Sequence, residues 1–197
     1  MGIKIAGFEL PINCLVSTAR RHCIDKYEFT NSDYLKVIAN TENCGDERNS
    51  PPADKKPFTK YASWGCAIAM CDSSEKRLCT DSEWKYAGRG GNAKCEYGTK
   101  NCLLPNDTNA CYQKDTPCDV GSYPPNALGL YDMSGNVSEW VGKFSVYNLW
   151  TIRPELCGGS WESNLDKEKL KVDSCLDIAP EVMDPKYGFR CCKDLQE

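Results

Sequence analysis

Fourteen of the 197 residues are cysteine, and no two are spaced Cys-x-x-C. This combination restricts the fold more than any other feature of the chain. Structural zinc modules and thioredoxin-like redox sites use that spacing. The single histidine, His22, leaves mixed Cys/His metal sites short of ligands. An even number of cysteines fits a disulfide framework formed in an oxidising compartment. The candidates are Cys14, Cys23, Cys44, Cys66, Cys71, Cys79, Cys95, Cys102, Cys111, Cys118, Cys157, Cys175, Cys191 and Cys192. Their connectivity is not readable, because fourteen cysteines allow on the order of 10⁵ pairings. Cys157 and Cys175 read as staples, to each other or to Cys191 or Cys192. The adjacent Cys191 and Cys192 should reach different partners, since neighbouring cysteines bridge each other only with strain. The expectation is an extracytoplasmic protein (secreted, periplasmic or at a cell surface) whose signal or anchor lies outside this chain. No run near Met1 reads as a signal peptide, and no stretch approaches the ~20 apolar residues of a spanning helix.

A chain of this length suits one domain spanning 1–197 and can bury roughly 70% of its unfolded surface. The net charge is −4 and no basic run occurs, so nucleic acid is not an expected partner. Residues 44–57 are polar with three prolines and read as an exposed loop. Residues 91–126 are rich in Gly, Asn, Asp, Pro and Cys, an irregular region that needs staples or bound ions. Three helices are predicted. "TNSDYLKVIAN" starts at a Thr30 cap, with Tyr34, Leu35 and Ile38 as its apolar face. "SWGCAIAMCDS" starts at Ser63, with Trp64, Ala67, Ile68 and Cys71 on one side. "TDSEWKYAGRG" carries a Thr80/Glu83 capping box, with Trp84 and Ala87 inward. Short strands are predicted in "CIDKYEFT", "LGLYDM", "SEWVGKF" and "YGFRCC". Helices come early and strands late, without a βαβ rhythm, so the class is α+β.

Five blocks recur in order with consistent spacing: "CIDKYEFTNSDYL", "SWGCAIAMCDSSEKRLCTDSEWKYAGRGG", "VGSYPPNALGLYDMSGNVSEW", "CGGSW" and "GFRCC". From about Cys23 to Cys192 the chain resembles the formylglycine-generating enzyme family, also called the sulfatase-modifying-factor domain. The resemblance implies a C-type-lectin-like fold of low regular secondary structure. Residues 1–22 lack the family's usual opening and stand as an N-terminal extension.

The resemblance also frames the chemistry. The copper-dependent oxidases of the family place two cysteines, with four residues between them, just after the Gly-Gly-Ser-aromatic turn. Thiolates are the soft ligands that Cu(I) prefers. Here Gly158-Gly159-Ser160-Trp161 is followed by Glu162 and Ser163, and the segment to Glu168 has no thiol. Copper is therefore not expected. The family branch that holds non-haem iron through histidines needs more than His22, which is expected on a surface or loop with no role. No catalytic residue is assigned.

Calcium is the cofactor that the resemblance implies, as one or two ions. "DMSGNVSE" carries acids at both ends of a glycine turn, and calcium takes 6–8 oxygens from carboxylates and carbonyls. The family site maps onto the side chains of Asp132 and Glu139 and the carbonyls of Gly135 and Val137. A second site maps onto the Asn109 side chain and the Ala110 carbonyl, with Asp115 as a further candidate. Such acids also cap turns by hydrogen bonding. Trp84, Trp140 and Trp161 read as core, and Arg190 as a buried arginine paired with a carboxylate. Asn106 and Asn136 both head N-x-S/T acceptor patterns.

The leading function is therefore a non-catalytic recognition or adhesion domain on a disulfide- and calcium-stabilised scaffold. A protein or glycan partner would contact residues 162–184, with Glu162, Asn164, Asp166, Lys167, Lys169 and Lys171 as the candidate binding residues. The alternative is a copper-dependent oxidase with a relocated thiol pair such as Cys157 and Cys175. A lesser alternative is a retroelement-diversified ligand-display protein. Membership of a larger surface protein or assembly is compatible with each.

Overall fold

The structure is a computed structural model that describes residues 12–16, 21–41, 44–45, 50–142, 154–163 and 166–195. Its elements are β1 (Ile12–Val16), β2 (Arg21–Asp25), α1 (Asn31–Val37), α2 (Trp64–Asp72), β3 (Arg77–Leu78), α3 (Asp81–Gly88), β4 (Ser138–Val141), β5 (Glu155–Cys157), β6 (Cys175–Asp177), β7 (Tyr187–Phe189) and β8 (Cys191–Asp194). Two four-stranded sheets form, ordered β1-β2-β8-β3 and β6-β5-β4-β7. Among the described residues, no helix is long and apolar enough to cross a membrane.

Local chemistry starts the helices where the sequence predicts. Thr30 Oγ1 accepts from Asp33 N and Asp33 Oδ2 accepts from Thr30 N, both at 3.1 Å. Thr80 and Glu83 form the same reciprocal pair at α3. Ser63 Oγ accepts from Cys66 N at α2. Each cap satisfies a donor that the first turn cannot use, an effect worth about 1 kcal/mol.

The buried faces differ in detail from the predicted ones. Tyr34 is buried as predicted and Ile38 packs against the core, but Leu35 is 37% exposed and Val37 turns inward in its place. In α2, Ile68 is also exposed while Ala67, Met70 and Cys71 are buried. Both helices last only two or three turns, so a rotation of one residue exchanges the face without losing core area.

Two strand predictions change more. "LGLYDM" is not a strand, because Asn126 Oδ1 accepts from Leu128 N and Leu130 N and folds the chain there. Asp132 then lies at φ +59°, outside extended backbone. "YGFRCC" is two strands in two sheets: β7 runs parallel to β4, and β8 runs antiparallel to β2 and β3. Arg190 is the residue at the crossing. "CIDKYEFT" is a strand only as far as Asp25, and it begins earlier, at Arg21. The hairpin partner β1 extends the sheet into the first 22 residues, with Cys14 opposite Cys23 in the backbone register.

The larger core cluster gathers Phe29, Tyr34, Phe58, Met70, Trp140 and Phe189. Tyr34 stacks on Phe58 at 4.1 Å and Phe29 on Phe189 at 4.7 Å. A second cluster holds Ile24, Trp84, Leu130, Met133, Val141 and Val172. Disulfides join the parts. Cys71–Cys191 and Cys79–Cys192 tie the two neighbouring cysteines of β8 to different partners. Cys95–Cys102 and Cys111–Cys118 staple the irregular 91–126 region locally. Cys44–Cys66 anchors the polar loop to α2, and Cys157–Cys175 joins β5 to β6 at a register pair. Cys23 is also oxidised, while the Cys14 side chain lies outside the described residues.

Candidate functional site

Three carboxylates and one guanidinium converge where the two sheets meet. Glu139 on β4 is fully buried, and so is Arg190. Arg190 Nε and Nη2 donate to the two oxygens of Glu139 at 2.7 Å each. Its other N–H groups donate to the carbonyls of Tyr131, Asp25 and Lys26. Trp84 Nε1 adds a third donor to Glu139, at 2.8 Å. Arg190 is thus the buried, carboxylate-paired arginine that the sequence predicts.

Glu28 enters the same centre from the segment after β2. Its Oε2 accepts from Asn136 Nδ2 at 2.6 Å and its Oε1 from Val137 N at 3.1 Å. Burial raises its pKa well above the usual carboxylate range, and the charges of Asp132 and Glu139 push further in the same direction. Asp132 Oδ2 accepts from Gly121 N at 2.7 Å. Its Oδ1 is buried without a hydrogen-bond partner. Burial pushes Asp132 up to about 6, against the pull of Gly121 N–H and Arg190. Burying three carboxylates beside one guanidinium is costly, and the raised pKa values of Glu28 and Asp132 show protonation as one way to meet that cost.

These residues fit calcium. The ion is a hard cation that binds oxygen, and the centre offers a buried orphan oxygen amid excess negative charge. Asp132 and Glu139 would hold it, with the Gly135 and Val137 carbonyls of the same turn, while Glu28 spends both oxygens on Asn136 and Val137 and does not come with the other two acids into one ion's coordination sphere. A carboxylate has about four lone-pair sites, so Glu139 can keep Arg190 and still serve as a ligand. Calcium would supply charge neutralisation and stability there, not a reaction.

Glu28 was absent from the sequence-predicted set. The signal for it is an acid set between Tyr27 and Phe29 in the segment after β2. In the second predicted set, the Asn109 side chain is engaged within its own loop. Asn109 Oδ1 accepts from Asn106 N and its Nδ2 donates to Leu104 O, so the side chain closes its own loop. Ala110 is buried beside it, while Asp115 is exposed. The carboxylate of Glu155 and the sulfurs of Cys157 and Cys175 also cluster. Those sulfurs are bonded to each other and have no thiolate to offer.

The Gly-Gly-Ser turn lies next to this centre. Gly135 N donates to Gly158 O and Trp161 N to Asn136 O. Gly159 sits at φ +68°, and a Cβ there would come 2.5 Å from Lys169 O. Ser163 stands where the resemblance sets the family's first thiol. It is buried, and its Oγ accepts from Ser160 N at 3.0 Å. The hydroxyl closes a turn. Trp161, expected in the core, is only half-buried, and His22, expected at the surface, is fully buried on β2.

The candidate contact residues lie largely at the surface and in ion pairs. Glu162 meets Lys186 at 2.7 Å, and Asp166 meets Lys169 at 3.9 Å. Lys167 Nζ lies 5.6 Å above the Tyr112 ring. Lys171 pairs with Glu168 and Glu96. Asn164 lies outside the described residues. Within the same 162–184 stretch, Leu176, Val182 and Met183 are 60%, 37% and 55% exposed. Sequence reading missed these three, because isolated apolar residues among charges give no periodic signal.

The sulfatase-modifying factor enzyme 1-like domain family matches residues 15–195. The serine/threonine-protein kinase pkn1 of Chlamydia pneumoniae is 28% identical over 95% of this chain and 35% of its own length. The inactive C-alpha-formylglycine-generating enzyme 2 of Bos taurus is 33% identical over 66% of this chain and 48% of its own length. The chain thus spans half or less of these curated relatives. In three dimensions, Treponema denticola variable protein 1 superposes with a TM-score of 0.76 at 18% identity, covering 99% of both chains. The architecture is the C-type-lectin-like fold. By the extent of the family match, this chain belongs to the sulfatase-modifying factor enzyme 1-like domain family.

Proposed function

We propose that this chain is a non-catalytic recognition domain of an extracytoplasmic protein. It would bind a protein or glycan partner through the 162–184 surface. The observation that carries the reading is Ser163. A hydroxyl stands where the family's oxidases place a thiol, and it is used to close the turn on Ser160 N. The relocated pair that a copper oxidase would need, Cys157 and Cys175, is joined as a disulfide. A disulfide has no thiolate for Cu(I). A relative that itself bears the description "inactive" supports the same reading. The oxidised cysteines support an oxidising compartment. The exposed Leu176, Val182 and Met183 supply apolar contact area beside charged neighbours, the mixture found in recognition surfaces. One or two calcium ions, one of them at Asp132 and Glu139, would stabilise the scaffold.

Thiol counting under denaturing, non-reducing conditions, combined with Cu(I) titration of the native protein, tests the non-catalytic reading. The expected outcome is no reactive thiol and no tight copper. Two reactive thiols together with tight Cu(I) binding would establish the oxidase alternative instead.

A further inference from the structure

β6 is an edge of its sheet: β5 lies on one side, and among the described residues no strand lies on the other. The register fixes which groups face the free side. Ile178 N donates to Pro154 O at 3.3 Å. Bonded and non-bonded pairs alternate along an antiparallel ladder. Leu156 and Leu176 are therefore a bonded pair, while Glu155 with Asp177 and Cys157 with Cys175 are non-bonded pairs. The 4.2 Å between the Cα atoms of Cys157 and Cys175 fits the closer, non-bonded spacing. The main-chain groups of Cys175 and Asp177 thus point away from β5. Cys175 N donates to Asp173 O, which leaves Cys175 O and both main-chain groups of Asp177 on the free side. Leu176 is 60% exposed and Asp177 is exposed as well, so this edge is uncovered in the single chain.

Charge narrows what can cover it. From Val172 to Pro185 the chain carries four acids, Asp173, Asp177, Glu181 and Asp184, and no lysine or arginine. Asp173 is paired with Arg89, and Asp184 with Lys186 at 3.4 Å. Asp177 and Glu181 are exposed and have no ion pair among the described residues. We infer that the β6 edge takes an extended, basic peptide segment of a partner protein, added to the sheet as a further strand. The inference rests on the 162–184 reading above and names the partner's chemistry. The peptide main chain would pair with Asp177 N, Asp177 O and Cys175 O. Its apolar side chains would meet Leu176, and its lysines or arginines would meet Asp177 and Glu181. Strand addition of this kind draws affinity from main-chain bonds and specificity from alternate side chains. A second copy of the chain would bring four more acids to the same edge, and like charges there repel.

The test titrates the full chain with the synthetic heptapeptide KVKVKVK, acetylated and amidated, and with EVEVEVE as the acidic control. Calorimetry reads affinity, and amide hydrogen exchange reads the Asp177 N–H. The basic peptide should bind and slow exchange at Asp177, and the acidic one should do neither. Asp177→Asn removes only the charge and should weaken binding roughly 3-fold, as for one exposed ion pair. Asp177→Pro removes the outward N–H as well, at a position where an edge strand accepts proline. It should weaken binding further, about 10-fold in all. Equal affinities of the Asn and Pro variants, with no slowed exchange at Asp177, overturn strand addition. If Val182→Ser with Met183→Ser then abolishes binding, the 162–184 reading still stands on side-chain contacts. Binding that none of these substitutions weakens places the peptide elsewhere and overturns both readings. Absence of binding in the wild type overturns the edge inference alone. Self-association that Asp177→Pro abolishes would make a second copy the occupant and overturn the peptide.

Discussion

Two neighbouring turns, Asp132–Glu139 and Gly158–Ser163, are joined by backbone hydrogen bonds and yet differ in what they leave open. In the Gly-Gly-Ser turn, glycines allow a close approach and Ser163 satisfies Ser160 N. Its buried Ser163 is satisfied within the turn. In the acidic turn, Glu28, Asp132 and Glu139 face one Arg190, and Asp132 Oδ1 is buried without a partner. The first turn keeps the family's shape without its reactive thiols. The second buries carboxylates that Arg190 neutralises only in part. A turn can be held by backbone contacts alone, whereas buried carboxylates must be neutralised, by protonation or by a cation.

The largest effect should come from Arg190. Arg190→Met leaves Glu139 buried with only Trp84 as donor, and breaking one side of a buried pair costs about 3–5 kcal/mol. Chemical denaturation would read this as a lower midpoint. Arg190→Met combined with Glu139→Leu should recover part of the loss, because two apolar groups leave no orphan charge. Equal destabilisation in the single and double variants would show that packing, rather than charge, holds the crossing between the sheets.

Calcium comes next. At 100-fold excess over its dissociation constant, a ligand of the native state adds about 2.7 kcal/mol. For a chain of this size that raises Tm by roughly 5–10 °C. Chelation should reverse the rise, and Asp132→Ala should abolish it. An unchanged Tm with calcium and with chelator would mean that the acidic turn meets its charge by protonation instead.

The Gly-Gly-Ser turn should respond least. Ser163→Ala removes the acceptor of Ser160 N, a loss of about 1 kcal/mol. Ser163→Cys should remain without tight Cu(I) binding, because no second thiol stands within reach of the turn. Copper uptake by that variant would erase the contrast between the two turns.

Much of this was legible because it depends on neighbours in the chain. The capping boxes at Thr30 and Thr80 need only residues three apart. The missing thiol at Ser163 follows from its distance to Gly158-Gly159. The local staples Cys95–Cys102 and Cys111–Cys118 lie in the region whose composition calls for them. Faces of short helices were less legible, as Leu35 and Ile68 show. In two or three turns an apolar periodicity fits more than one rotation.

The sequence by itself determined the redox framework, the helix starts and the family, since each rests on residue identity and short spacing. Only the tertiary structure decided that "YGFRCC" splits between two sheets and that Cys191 and Cys192 reach Cys71 and Cys79. It also decided that Glu28 joins a centre 108 residues away, through Asn136. Whether a carboxylate is a solvated surface group or a buried charge seeking a cation depends on what surrounds it in space. That surrounding is built from strands far apart in the chain, and neighbours in the sequence carry no record of it.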